Sequence, residues 1–334
     1  MNSSIFRFVI IVGCFLHASQ PFSYAERCAV IICGSGGEDA YQRKFTEWGS
    51  RLKTILIDRC QISQDNLFML YDDSEASAHS ISSLENINAV FSNLHDHLTV
   101  DDELFVFLIG HGSHLKDVSK FQIPGLDLTA QHLHELLQSI PSSRQIVINA
   151  SSSSAGFINA LSNSKRIICT ATKSVEEKNA TEFFEYFLQG LEQKYADSDR
   201  DQRITLLEAC RYGSIQTESW HQSQGILATE HALIDGNGDR FGERLSDLNA
   251  DYSLEDLTEN EDLFLSHQII LIDESFPDSA PRHLVQEYLD LLQEIKTLIQ
   301  EKENFEERNY YQQLEVLFIR AAQVHKKIRS ADHP

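Results

Sequence analysis

Positive charge is what this sequence has least of: Lys and Arg total 28 against 50 Asp and Glu, for a formal charge of −22. A surface of that sign repels a phosphate backbone, which excludes nucleic acid as a partner and leaves a solvated, cation-collecting exterior. Long hydrophobic runs are equally scarce. The run from Phe6 to Leu16 falls short of the about 20 residues that span a bilayer, no second candidate follows it, and an integral membrane protein is excluded. With Arg7 near its start and Ser23-Tyr24-Ala25 at its end, this stretch reads instead as a secretory signal peptide over residues 1–25, cleaved after Ala25. Export then ends in a periplasm, a lumen or outside the cell. Paired CxxC spacing is missing as well, so zinc finds no support. Removing Cys14 with the leader leaves five cysteines, an odd number. Cys33 and Cys169 sit in apolar runs and read as buried thiols, while one disulfide stays open without an assigned pair.

What the sequence does have is a rhythm. Five apolar runs, CAVIICG (28–34), NLFMLYD (66–72), LFVFLIG (104–110), QIVINA (145–150) and RIICTAT (166–172), alternate with helical patterns at 40–57, 80–97, 128–139, 178–194 and 204–219. This predicts an α/β fold with a mainly parallel sheet and helices on both faces. A sixth strand is expected at 231–235 or 268–272. Residues 26–246 form this domain, and 247–281 read as an acidic, loop-rich segment. Over 282–330, Leu284, Tyr288, Leu291, Ile295 and Leu298, then Leu314, Leu317, Ala321, Val324 and Ile328, take the 3-4 spacing of a helical hairpin or coiled coil. That device either packs on itself or mediates self-association.

Two strand ends carry chemistry. LFVFLIGHGSH ends a buried strand at Gly110-His111-Gly112, and the glycines leave the imidazole at the carboxyl edge of the sheet, where α/β proteins bind ligands. About 40 residues later, RQIVINASSSSAGFINAL ends another strand in a small-residue turn before a helix. In this order, on a five-strand pattern, and with the CGSGG turn after the first strand, residues 27–240 resemble the legumain and caspase clan of cysteine peptidases. The resemblance implies a caspase-like fold and a Cys–His dyad, with His111 at the histidine. Neither register of the serine run supplies the cysteine: setting Ser154-Ala155 on the family's Ser-Gly puts Ser152 at the nucleophile position, and setting Asn149-Ala150 on Glu-Ala puts Ser151 there. The legumain branch also implies an Asn that orients the histidine and an Arg that lines the substrate pocket, where this chain has Ala40 and Gln42. Arg43, one position on, is the substitute candidate for substrate binding. A serine hydroxyl needs a base held by a third group, normally a carboxylate, and the sequence does not put Asp117 or Asp127 behind His111.

Further along, ADSDRDQRITLLEA places Asp197, Asp199, Asp201, Arg203 (through its carbonyl), Thr205 and Glu208 at positions 1, 3, 5, 7, 9 and 12 of an EF-hand-type Ca²⁺ loop, with Gln202 where Gly normally turns the chain. DGNGDRFGE offers a shorter echo in Asp235, Asn237 and Asp239. Three functions follow. One is a secreted, catalytically inactive peptidase homologue that binds a peptide or protein through its cleft or its helical appendage. The second is an active endopeptidase with a Ser152–His111 dyad, and the third a calcium-stabilised envelope structural or interaction protein.

Overall fold

The computed structural model describes residues 25–72, 80–248, 257, 259–275, 281–300, 302 and 305–330, so the leader up to residue 24 lies outside the described residues. The chain runs β1 (Arg27–Cys33), α1 (Asp39–Asp58), β2 (Leu67–Leu70), α2 (Leu84–His97), β3 (Glu103–Ile109), β4 (Gly112–Leu115), β5 (Val118–Phe121), β6 (Leu128–Thr129), α3 (Ala130–Ser139) and β7 (Arg144–Asn149). It continues through α4 (Ile158–Leu161), β8 (Arg166–Thr170), α5 (Phe183–Glu192), β9 (Arg203–Thr205), α6 (Leu206–Ser223), β10 (Leu233–Asp235), β11 (Glu243–Arg244), α7 (Glu261–His267), β12 (Ile270–Asp273), α8 (Arg282–Gln300) and α9 (Glu307–Ser330).

The main sheet has the order β11-β10-β8-β7-β3-β1-β2. From β8 to β2 all neighbours are parallel, and β10 and β11 add an antiparallel edge. Period-2 alternation divides each strand between two cores. Ala29, Ile31, Phe105, Phe107, Ile146 and Ile148 face α1, α5 and α6, where Trp48, Phe184 and Leu207 complete one cluster. Val30, Ile32, Val106, Leu108 and Val147 face the other side, against Phe91 of α2 and Leu133 and Leu137 of α3. The expected α/β architecture, consistent with a caspase-like fold, is thus present, and its register sets the carboxyl ends of β1, β3 and β7 side by side.

Side-chain caps set several helix starts. Ser83 accepts the Asn86 N–H and begins α2 at residue 84 rather than 80, Thr129 caps α3, and Thr205 with Glu208 forms a capping box on α6. Helix α5 starts at 183, not 178, because residues 172–182 strap across the serine turn instead. Both candidate sixth strands exist, as β10 and β12, but β12 pairs with β9 in a separate two-stranded sheet. Sequence pattern missed the antiparallel sheet β4-β5-β6 and the helix α7 within 247–281, which with β12 corrects the loop-rich reading for the described part of that segment.

Helices α8 and α9 pack on one another, with Leu291, Ile295, Ala321, Val324 and Ile328 buried between them. Leu291→Asp would bury a charge without a partner in this seam. Helical circular dichroism should fall while amide protection in β1, β3 and β7 is retained. Loss of protection in those strands would show instead that the hairpin and the sheet unfold as one unit.

Glu230 anchors the start of α5. Only 3 % exposed, it accepts the Glu182 N–H at 2.9 Å on each oxygen and the Phe183 N–H at 3.1 Å. Burial outweighs these donors and pushes its carboxyl from 4.5 up to about 7. A carboxyl raised on folding contributes stability that is present below its unfolded value and lost as pH rises through the folded one. Thermal stability should therefore decline from pH 4.5 to about 7, by up to about 3 kcal/mol. Glu230→Gln keeps an acceptor without the charge. Its pH profile should be flatter across that window, as read by melting curves.

Candidate functional site

Three turns meet at the carboxyl edge of the sheet. The Gly34 N–H donates to the Ile109 carbonyl at 2.9 Å, tying the end of β1 to the end of β3, and the Ser35 N–H donates to the Gln122 carbonyl at 2.9 Å. A Cβ on Gly34 would come within 2.3 Å of that Gln122 oxygen, so only glycine permits this closeness. His111 follows β3 in this crowded corner, half-buried. Tyr41 and Phe45 of α1 meet its imidazole edge-on, with centroids 4.8 and 5.0 Å away. Burial lowers the imidazole pKa, the polar backbone at Gly36 and the nearby Glu38 oppose the shift, and Lys44 reinforces it. The charged form of the ring is thereby disfavoured relative to a free imidazole.

The serine run, a small-residue turn by its sequence, is buried and bonded throughout. All four residues are at most 2 % exposed. Ser151 Oγ donates to Asn149 Oδ1 at 2.7 Å, within the end of β7. Ser152 Oγ receives the Gly112 N–H and donates to the Gly112 carbonyl, each at 3.1 Å. This pairing has a cause in the ladder: the His111 carbonyl accepts the Gln122 N–H, so the peptide groups of the next residue face away from β5 and toward the serine turn. Ser153, left-handed at φ +53, gives its N–H to the Glu177 carbonyl at 2.8 Å and its hydroxyl to the Val175 carbonyl at 2.9 Å. Ser154 exchanges bonds with Thr172, at 3.1 Å through the hydroxyls and 3.1 Å from the Thr172 N–H.

Residues 172–182 are thereby strapped over the turn. Thr181 Oγ1 donates to the Ala150 carbonyl at 2.5 Å, Glu177 holds His231 at 2.5 Å, and Lys44 reaches across from α1 to Glu182 at 2.6 Å. His111 and the serine turn are brought to one edge as expected, yet no hydrogen bond joins the imidazole to a serine hydroxyl among the described residues. Nor do Asp117 and Asp127 stand behind it: Asp117 occupies the β4–β5 turn at φ +65, and Asp127 faces Lys120 at 3.7 Å. Arg43 is exposed on α1. Its neighbour Gln42, unremarked by motif reasoning as anything but a mismatch, is the one that reaches the site, through Gly36.

The acidic loop between α5 and α6 gathers part of its expected ligand set. Oxygens of Asp197, Asp199 and Glu208 lie within 4.8 Å of one another. Gln202 adopts the left-handed turn at φ +71 that glycine usually supplies, so the loop closes in spite of the substitution. Asp197 Oδ1 is buried without a hydrogen-bond partner, an oxygen suited to a cation. Asp201 and Thr205 are not drawn in. Asp201 Oδ1 accepts the Arg203 N–H at 2.7 Å, Thr205 Oγ1 donates to Glu208 Oε2 at 3.0 Å, and the Arg203 guanidinium pairs with Asp273 at 3.2 Å. The second acidic turn satisfies itself: Asp262 accepts the N–H groups of Gly236 and Asn237 at 2.7 and 2.9 Å, and Asp235 accepts that of Gly238 at 2.9 Å.

All five described cysteines are free and buried. Among the described residues no helix is long and apolar enough to cross a membrane.

A search of curated proteins finds no match. Among solved structures, protein GSU0716 from Geobacter sulfurreducens aligns with 63 % of this chain and 92 % of its own, at 8 % identity and a TM-score of 0.40. Residues 93–233, the stretch that carries His111, the serine turn and the acidic loop, match the Peptidase C13 family.

Proposed function

We propose that the chain is an exported, catalytically inactive homologue of legumain-type peptidases that binds a peptide or protein segment at the His111 edge. The observation that carries this reading is the commitment of the serine hydroxyls. Each of the four is bonded within the turn or to its covering strap and Gly112, none to His111, so a base is not engaged to activate any of them. The Gly112 N–H, a donor suited to a developing oxyanion, is already taken by Ser152. The half-buried imidazole, walled by Tyr41 and Phe45, is the group at this edge that a bound segment would meet. Ser152 stands in this reading where the family has its cysteine, with Ser151 the alternative register. Outside the edge, α9 keeps Tyr311, Val316, Phe318 and Ile319 about half exposed, the surface that self-association would use.

The test compares wild type with His111→Ala on a diverse peptide library, and Ser152→Cys with Ser151→Cys and Ser153→Cys in iodoacetamide labelling. Wild type should hydrolyse nothing above the alanine variant. The cysteine beside the imidazole should alkylate fastest, because a neighbouring histidine lowers a thiol's pKa. Labelling of wild type at Ser152 by a serine-directed phosphonate, dependent on His111, would overturn the proposal and establish an active serine peptidase. Fastest alkylation at Ser151→Cys would shift the register by one residue.

The same reading includes a cation, Ca²⁺ by donor chemistry, held by Asp197, Asp199 and Glu208 beside α6. Oxygen ligands of this kind suit a hard divalent ion, and the orphaned Asp197 Oδ1 is the specific support. A ligand at 100 times its dissociation constant stabilises a fold by about 2.7 kcal/mol. The melting temperature should rise by several degrees with Ca²⁺, and Asp197→Ala should abolish the rise. Equal melting of wild type and variant in Ca²⁺ and in chelator would reduce the loop to a turn.

A further inference from the structure

At the opposite edge of the sheet, where the parallel strands begin, a cation is buried without an anion. Arg166 opens β8 and stands in register with Gln145 near the start of β7. It is 2 % exposed, so its guanidinium must find its partners inside the protein. Nε donates to Gln145 Oε1 at 3.0 Å, and Nη1 donates to the Leu161 carbonyl at the end of α4 at 2.5 Å. Both acceptors are neutral. Gln145 is itself held, since its Nε2 donates to the Leu137 carbonyl at 2.9 Å. Among the described residues Nη2 donates to no group, and no carboxylate pairs with the guanidinium. Burial lowers its pKa to about 10, with no opposite charge close enough to raise it.

Arg166 lines a cavity of about 100 Å³ together with Arg144, Ser164, Lys165, Gly236 and Gln268. Close backbone contacts set its walls. Gly238, at φ +79, presses the turn after β10 onto residues 163 and 164, where a Cβ would meet the Asn163 carbonyl carbon at 2.5 Å, and a Cβ on Gly236 would meet the Asp262 carbonyl oxygen at 2.6 Å. The carboxylates of this region have other partners. Asp262 accepts the N–H groups of Gly236 and Asn237, Asp235 accepts the Gly238 N–H and the Ser162 hydroxyl, and Glu103 is divided between Arg27 at 2.9 Å and Arg144 at 2.6 Å. Lys165, exposed at the rim, pairs with no carboxylate among the described residues.

We propose that this cavity is an anion site that takes one tetrahedral oxyanion, phosphate or sulfate, with the Arg166 guanidinium at its base and Lys165 at its rim. A guanidinium presents planar N–H groups that match an oxyanion, and burial strengthens the attraction by excluding water. Three cationic side chains meet here in a chain whose formal charge is −22, so the local sign runs against the whole. The volume admits a small oxyanion and is too small for a nucleotide or a sugar chain. Donors come from the start of β8 and, through the Gln268 amide, from the end of α7, which suits four oxygens better than the two of a carboxylate. The site lies at the far edge of the sheet from His111 and does not depend on the peptide-binding reading.

The experiment titrates sodium phosphate into the full chain by calorimetry, in chloride buffer with chelator, for wild type, Arg166→Gln and Lys165→Glu, with sulfate and acetate as further ligands. Wild type should bind one phosphate per chain, sulfate comparably, and acetate about tenfold more weakly because donors are left unpaired. Arg166→Gln should weaken phosphate at least about tenfold, the equivalent of one charge-assisted hydrogen bond. Lys165→Glu changes only the exposed rim and should weaken phosphate about fivefold. Absence of saturable binding to wild type, or binding that Arg166→Gln leaves unchanged, would overturn the proposal and leave Arg166 a staple between β8 and α4. Acetate bound as tightly as phosphate would overturn the oxyanion assignment in favour of a carboxylate. Should Arg166→Gln fail to fold, Lys165→Glu decides, an unchanged affinity counting against the site.

Discussion

The exchange of two hydrogen bonds between the Gly112 peptide and the Ser152 hydroxyl couples the two loops on which the site depends. It follows from strand geometry. On an edge strand, alternate peptides point away from the partner and need a substitute, and here a serine hydroxyl serves as both acceptor and donor in place of a missing strand. Because Ser152 is buried and Gly112 half-buried, breaking the pair would leave polar groups short of partners, so the loops after β3 and β7 are held as one unit.

Around this pair the remaining serines extend the fastening outward, Ser153 and Ser154 to the strap of residues 172–182 and Ser151 back to Asn149. A run of small polar residues at a strand end is ordinarily compatible with exposure, mobility or nucleophilic chemistry. Burial decides among these. A hydroxyl at most 2 % exposed must find partners inside the protein, and four consecutive hydroxyls that do so turn a turn into a clasp. The same demand organises the histidine side of the edge, where Gly34, Gly36 and Gln42 form a backbone-centred support and the aromatic rings of α1 close the remaining space.

The acidic loop shows the limits of spacing as a guide. Six positions in sequence match a calcium loop, yet the fold gathers Asp197, Asp199 and Glu208, while Asp201 and Thr205 bond within the loop. Glu208 also completes the capping box of α6, so the carboxylate that lies beside Asp197 and Asp199 is the one that starts the helix.

The sequence by itself determined the alternation of strand and helix, because period-2 and period-3.6 burial are local properties of Ile31, Phe107, Ile148 and the leucines of the helices. It also determined the hairpin seam and that His111 and the serines end neighbouring strands. Tertiary structure alone decided what those residues do. Helix α5 began late because the strap needed residues 172–182. The sheet β4-β5-β6 stayed hidden because its strands are two to four residues long, too short for any period. The roles of Gln42 and Glu230 were invisible for another reason. Each acts on a backbone N–H, and a peptide group carries no mark in the sequence of which side chain will come to satisfy it.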